Sequence, residues 1–163
     1  MIVVADTGPI NYLVLIDCVH VLPALFGSVR VPTAVIDELQ HAAAPSPVRA
    51  WAAQPPEWLS IVASATLPGL AHLDAGEAAA LSYAAAVAAQ GEPTLVLMDE
   101  IKGRRAAERM GLAVRGTLGV LDLAGAQKLV RTTEALTRLQ ATSFHAQPHI
   151  MQAFLERARQ REA

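Results

Sequence analysis

The sequence is poor in the residues and runs that mark secreted and membrane proteins. It has one cysteine, Cys18, in 163 residues, so no disulfide can form within the chain, and a reducing, cytoplasmic compartment is expected. Its most apolar run, residues 78–89, spans about a dozen positions, whereas a membrane-spanning helix needs about 20. No basic segment precedes the first apolar residues, so we expect no signal peptide and no membrane partner. Cys18 and the alanine-rich run are therefore predicted to be buried.

The motifs of several common enzyme classes are also missing. The five histidines show no HxxxH or HxH spacing, which argues against a histidine-based zinc site. No GxGxxG follows the first apolar run, and GRRAAERMG at residues 103–111 lacks the lysine and hydroxyl residue that end a phosphate-binding loop. No GxSxG segment is present, so a serine nucleophile of that type is not expected.

Net charge gives little indication of a nucleic-acid partner, because the chain carries a formal charge of −2. Its distribution is less even, since four basic side chains fall close together: Lys102, Arg104, Arg105 and Arg109. Such a cluster is commonly a solvated helix face. Lys102, Arg105 and Arg109 share one face of the predicted helix and would also suit phosphate binding.

The apolar residues, 53% of the chain, are arranged as one domain in which strands alternate with helices. The predicted strands cover residues 2–5, 29–31, 61–63, 94–98 and 112–115. The predicted helices cover residues 33–41, 48–53, 75–89, 101–110 and 117–127, with two more after residue 130. Apolar strands alternating with helices predict an α/β fold whose mostly parallel sheet is covered on both faces. The C-terminal helices are expected to pack, through Phe144, Ile150, Met151, Phe154 and Leu155.

Four acidic residues are predicted to converge at one edge of this sheet. Asp6 and Asp99 follow strands directly, and ligands bind outside the carboxyl ends of parallel strands. Glu38 and Glu77 lie on helices that begin near the same edge. Each has a simpler interpretation: Asp6 and Asp99 as helix caps, Glu38 as an exposed residue, and Glu77 as part of a capping box with Asp74.

Clustered carboxylates repel one another, and this repulsion favours a cation at the site. One pair of like charges about 4 Å apart costs roughly 4 kcal/mol at an effective dielectric near 20. Raised pKa values or a divalent ion can relieve this cost. A set of ligands made only of oxygen suits Mg²⁺ or Mn²⁺ rather than zinc.

The sequence resembles the PIN domain nucleases, and among them the toxins of type II toxin–antitoxin pairs. Four ordered segments carry the resemblance: VVADTGPINYLVLI at 3–16, VRVPTAVIDELQ at 29–40, LDAGEAAALSYA at 73–84, and VLMDEIKGRRAAERMGLAVRGTLGVLDLA at 96–124. It implies a three-layer α/β/α sandwich, with a nuclease core over residues 1–128 and a C-terminal helical extension over 129–163.

The resemblance also implies the roles of individual residues. The catalytic, metal-binding acids would be Asp6, Glu38, Glu77 and Asp99. Glu100 is a further candidate ligand, although relatives often have aspartate there. Thr7 and Thr117 would line the pocket, and the basic residues Lys102, Arg105 and Arg109 would hold flanking phosphates.

Metal-dependent hydrolysis of RNA, leaving a 5′-phosphate and a 3′-hydroxyl, is the activity that the resemblance implies. It also implies a cognate antitoxin across the acidic groove and a homodimer. Two alternatives remain open from the sequence: a PIN-like module that binds nucleic acid or protein without cutting, and a hydrolase acting on a small phosphoester. Asparagine at Asp6 or Asp99 would abolish cleavage but spare simple binding.

Overall fold

A computed structural model describes all 163 residues and contains one five-stranded sheet. All the strands run parallel, in the order β3-β2-β1-β4-β5. Their bounds are β1 Ile2–Ala5, β2 Val29–Pro32, β3 Leu59–Val62, β4 Thr94–Leu97 and β5 Ala113–Arg115. The chain builds outward from β1 to β3 and then returns to the other side of β1, so the strand order reverses between β1 and β4. A crevice at such a reversal is the usual ligand site of an open parallel sheet.

The central strands are short apolar runs, as both faces of a covered parallel sheet require. β1 pairs with β4 from Ile2 opposite Thr94 to Ala5 opposite Leu97. The backbone N–H of Asp6 then donates to the Leu97 carbonyl at 2.9 Å. This bond extends the pairing by one residue and fixes Asp6 at the point where the strand order reverses.

Nine helices cover the sheet. Their bounds are α1 Thr7–Leu15, α2 Val21–Phe26, α3 Thr33–Gln40, α4 Ser46–Ala53, α5 Ala75–Ala89, α6 Ile101–Arg109, α7 Thr117–Ala126, α8 Thr132–Gln140 and α9 Pro148–Glu162. The larger core joins one face of the sheet to α1–α4 and α7–α9, while the smaller core joins the other face to α5 and α6. Both faces are therefore buried, and the predicted three-layer α/β/α sandwich is confirmed.

The C-terminal helices belong to the larger core rather than to a separate one. Leu136 and Leu139 of α8 are fully buried, and Leu155 and Ala158 of α9 join the same cluster. None of the helices combines the length and apolar character needed to cross a bilayer. Cys18 is buried, as predicted.

Differences from the sequence predictions lie mainly at the ends of elements. β3 begins at Leu59, two residues before the predicted strand, because Leu59 rather than Ile61 is the buried residue of that edge strand. α4 begins at Ser46, two residues early, with a proline in its first turn where the missing N–H costs nothing. The short helix α2 was not predicted at all, since six residues are too few to show a helical period.

Candidate active site

Asp6 is the buried acid at the centre of the sheet edge. Only 4% of its surface is exposed, and its backbone is extended, as expected for the residue before a helix. Its side chain makes no capping bond to α1, and its Oδ1 atom has no hydrogen-bond partner. Asp6 therefore occupies the N-cap position of α1, as the helix-cap interpretation predicts, but its carboxylate does not cap the helix. A buried carboxylate oxygen without a donor is costly unless a cation or a proton reaches it.

Glu38 is held in place by two other helices. Val35 and Leu39 bury one side of α3 and leave Glu38 half-buried toward α1 and α5. Its carboxylate accepts one hydrogen bond from the Thr7 hydroxyl and one from the Gly76 N–H, the latter at 2.9 Å. The interpretation of Glu38 as an unattached, exposed side chain is thus wrong.

Glu77 and Asp74 form the capping box at the start of α5. The Glu77 N–H donates to Asp74 Oδ1 at 2.8 Å, and the Asp74 N–H donates to Glu77 Oε2 at 3.3 Å. The simpler interpretation of Glu77 is therefore confirmed, but it does not remove either charge from the site. Carboxylate oxygens of Asp6, Glu38 and Asp74 all lie within 4.8 Å of one another.

Asp74 is the acidic residue that the sequence analysis missed as a candidate ligand. Helix capping alone accounts for its place at the start of α5. The available signal was its position three residues before Glu77, which puts both carboxylates at the same helix end. A carboxylate has two oxygens, so one can cap the helix while the other faces a neighbouring site.

Asp99 lies at the same edge but outside the group of three. Its Oδ1 accepts from the Thr117 N–H at 2.7 Å and its Oδ2 from the Thr117 hydroxyl at 2.6 Å. A Cβ atom on Gly8 would lie 3.3 Å from Asp99 Oδ2, so the carboxylate rests against the first turn of α1. The cap of α6 is Glu100 instead, without a side-chain bond, so the cap interpretation of Asp99 is wrong.

The electrostatics of this edge favour protonation or a cation. Burial raises the pKa of Asp6 well above its usual value. A hydrogen bond from the Thr7 backbone opposes this shift, and the charges of Asp74, Glu77 and Glu38 add to it. Burial and the Asp74 charge likewise raise the pKa of Glu77. Burial also raises the pKa of Asp99, although the hydrogen bonds from Thr117 and the nearby Arg104 oppose this shift.

The residues present fit a hard divalent cation. All the donors are oxygens, no histidine or cysteine belongs to the group, and Asp6 supplies a buried oxygen that nothing in the chain satisfies. Such a donor set suits Mg²⁺ or Mn²⁺ better than zinc.

The predicted basic face lies on α6. Lys102, Arg105 and Arg109 are all exposed, and none of the ion pairs in the structure involves them. Arg104, a basic residue that the sequence analysis left out of the site, lies near Asp99. It is partly buried, and a Cβ atom on Gly116 would lie 2.6 Å from its Nη1. The Thr117 N–H at the start of α7 is occupied, because it donates to Asp99.

Comparisons with known proteins agree with this architecture. A family model described as a PIN domain matches residues 2–160, which include the sheet, the acidic edge and both C-terminal helices. Searches of curated proteins and of solved structures gave no significant match. PIN domains are generally nucleases that use divalent metals. Because the match covers nearly the whole chain, the protein belongs to the PIN domain family.

Proposed function

We propose that this protein is a Mg²⁺- or Mn²⁺-dependent endoribonuclease and the toxin of a type II toxin–antitoxin pair. One observation carries the proposal: the buried Asp6 carboxylate has an oxygen without a donor and lies within 4.8 Å of carboxylate oxygens of Glu38 and Asp74. A divalent cation would neutralise this group. The family membership makes phosphodiester hydrolysis the reaction that such a cation would serve.

The ion would be held first by Asp6, Glu38 and Asp74, which already lie together. Glu77, Asp99 and Glu100 are the remaining candidate ligands, and the Glu100 charge is close enough to raise the pKa of both Glu77 and Asp99. A divalent ion bound there supplies charge neutralisation at the phosphate and a more acidic water molecule.

The chain's own residues hold this arrangement and position the substrate. Thr7 and the Gly76 N–H orient Glu38, and Thr117 orients Asp99. The exposed side chains of Lys102, Arg105 and Arg109 would bind phosphates that flank the cleaved bond. Water adds to phosphorus as the P–O3′ bond breaks, so the products are a 3′-hydroxyl and a 5′-phosphate.

The test is incubation of the purified, partner-free protein with assorted RNAs, with and without EDTA. We expect cleavage that EDTA abolishes. Asp6→Asn and Asp99→Asn should reduce cleavage by more than the 10–100-fold cost of losing a supporting residue. Asp17→Asn, at an exposed position beyond α1, is the matched control and should cleave normally. RNA binding that persists without cleavage in the wild-type protein would support a binding module instead.

The toxin role, the partners and the compartment are parts of the same proposal. Expression of the wild-type chain should arrest growth, whereas Asp6→Asn should not. A small neighbouring reading frame that encodes an antitoxin would support the pairing, and growth in the presence of the active protein alone would contradict it. We expect a homodimer by light scattering at micromolar concentration. A cytoplasmic location suits the single, buried Cys18.

A further inference from the structure

A second cavity opens beside the acidic edge, between α6, β5 and the C-terminal helix α9. It measures about 520 Å³, within the range of pockets that hold small molecules. We call it the Arg104 pocket. Its main lining residues are Asp99, Arg104, Arg115, Phe144, Ile150 and Phe154. Because Asp99 belongs to both the Arg104 pocket and the acidic edge, a ligand in this pocket lies next to the proposed metal site.

The polar side of the pocket is positively charged. Arg104 and Arg115 are both partly buried, and neither takes part in any ion pair of the structure. Arg115 makes one weak bond, donating to the Gly119 carbonyl at 3.3 Å. Arg104 lies near the Asp99 carboxylate but forms no ion pair with it, and a partly buried guanidinium group of this kind suits a phosphate or carboxylate ligand.

The opposite side is apolar and aromatic. Phe144 and Phe154 pack against the larger core, as the sequence predicts, and together with Ile150 they also line this cavity. Tyr12 packs edge-on against Phe144, with ring centroids 5.1 Å apart and an angle of 85° between the rings, which holds the Phe144 ring in place. The side chain of Ile150 stays 40% exposed. Oriented aromatic rings of this kind are the surfaces on which single-stranded bases stack.

We propose that the Arg104 pocket binds the nucleotide next to the cleaved phosphate, with its base on the Phe144 wall and its own phosphate at Arg104 and Arg115. This inference rests on the proposed ribonuclease function. A nucleotide is favoured over a peptide segment because cationic and aromatic walls face each other across one cavity. The C-terminal segment would then select which base precedes or follows the cut.

The binding test avoids catalysis altogether. Metal-stripped protein in EDTA is titrated with each of the four nucleoside 5′-monophosphates and with ribose 5-phosphate, and amide shifts are followed by NMR. We expect shifts around residues 115–119 and 144–150, and at least one nucleotide should bind about 5- to 100-fold more tightly than ribose 5-phosphate. Arg104→Gln should weaken both probes, whereas Phe144→Ala should weaken only the nucleotides.

A surface variant covers the possibility that Phe144→Ala unfolds. Ile150→Glu places a negative charge at the rim of the pocket and should weaken nucleotide binding by tenfold or more. Ile61→Glu is its matched control, because Ile61 is similarly exposed, at 48%, but lies on β3 at the opposite edge of the sheet. Equal effects of the two variants would overturn the proposal.

Two further results distinguish this inference from the proposed function. A base pocket would be contradicted if ribose 5-phosphate and every nucleotide bind equally well, or if the amide shifts are confined to other surfaces. A peptide segment would then be the better candidate ligand for the cavity. That result would not bear on the proposed ribonuclease function, which the cleavage assay tests separately. Conversely, a wild-type protein that cuts no RNA would contradict the proposed ribonuclease function. The titration in EDTA would still show whether the Arg104 pocket binds nucleotides. With active protein, Ile150→Glu should change the base preference at the cut.

Discussion

At the residue scale, Gly76 explains why Glu38 sits where it does. The Gly76 N–H donates to Glu38 Oε1, and a Cβ atom added to Gly76 would lie 2.5 Å from Oε2 of the same carboxylate. The absence of a side chain at Gly76 therefore leaves room for Glu38 to enter the first turn of α5. Any larger residue must push the carboxylate away, because the end of a glutamate side chain moves more easily than a helix.

Gly76→Ala should weaken metal binding without weakening the fold. Alanine is favoured over glycine within a helix by roughly 0.5–1 kcal/mol, so we expect stability to be unchanged or slightly higher. The displaced Glu38 carboxylate should weaken metal binding and cleavage by about 10- to 100-fold. Calorimetric titration with Mn²⁺ and urea unfolding measure the two effects. Full metal affinity in Gly76→Ala would show that Glu38 is not a ligand.

Thr117 supports Asp99 through both its backbone and its hydroxyl group. Thr117→Val keeps the shape and the backbone bond but removes the hydroxyl bond to Oδ2. We expect cleavage to fall by about 10- to 100-fold, as it does when a group supporting a metal ligand is lost. Thr117→Ser keeps a hydroxyl group and should recover most of the activity. If valine and serine lower activity equally, the lost packing rather than the hydrogen bond is responsible.

At the scale of the elements, α7 and α8 approach each other closely at Gly125. A Cβ atom there would overlap the Thr132 hydroxyl oxygen and lie 3.2 Å from the Thr132 Cβ. Thr132 is buried, and its hydroxyl has no hydrogen-bond partner. Neither helix can give way without disturbing the larger core, to which both contribute.

Gly125→Ala should therefore destabilise the protein by about 1–3 kcal/mol, the usual cost of overpacking. Urea unfolding gives the change in the free energy of unfolding. The double variant with Thr132→Ala should recover part of the loss, because removing the hydroxyl and methyl groups makes room for the new methyl group. A Gly125→Ala variant as stable as the wild type would contradict this close approach.

The sequence predicts the helices and strands better than it predicts which of their side chains point toward the site. Apolar strands and capped helices were visible because burial on a sheet imposes their periods. The acids Asp6 and Asp99 followed from the rule that sites form at strand ends. Arg104 was missed because the rotation of α6 about its own axis decides which basic residue points inward, and only packing sets that rotation. Asp74 was missed because helix capping already explained it.

At the scale of the whole molecule, the acidic edge links stability to pH. The pKa values of Asp6, Glu77 and Asp99 are raised in the folded protein, chiefly by burial. A carboxyl group with a raised folded pKa stabilises the fold fully below its unfolded pKa of about 4. This contribution is lost as the pH rises through the folded value. We expect the metal-stripped protein to lose stability at this site as the pH rises above about 4.

Urea unfolding of the wild type and Asp6→Asn across this range isolates the effect, since the other carboxyl groups are common to both proteins. Asparagine carries no charge, so the variant should gain stability relative to the metal-stripped wild type as the pH rises. A constant difference between the two proteins would contradict the raised pKa of Asp6.

Adding a divalent ion at neutral pH should reverse this loss in the wild type. At about 100 times its dissociation constant, an ion that binds only the folded protein adds about 2.7 kcal/mol, which raises Tm by several degrees. Thermal unfolding with Mg²⁺ or Mn²⁺ measures the shift, and Asp6→Asn should show little of it. An equal rise in both proteins would place the stabilising ion elsewhere.

The pairing of β1 with β4 also determines when the acidic edge can first form during synthesis of the chain. Asp6 leaves the ribosome before β4 does, and its strand gains this second neighbour only when residues 94–97 have followed. At about 5–20 residues per second, that interval lasts on the order of 5–20 seconds. Thr117, which holds Asp99, emerges later still. A nascent chain therefore carries separate acidic residues rather than an assembled site, and a cell has that interval in which to present a binding partner.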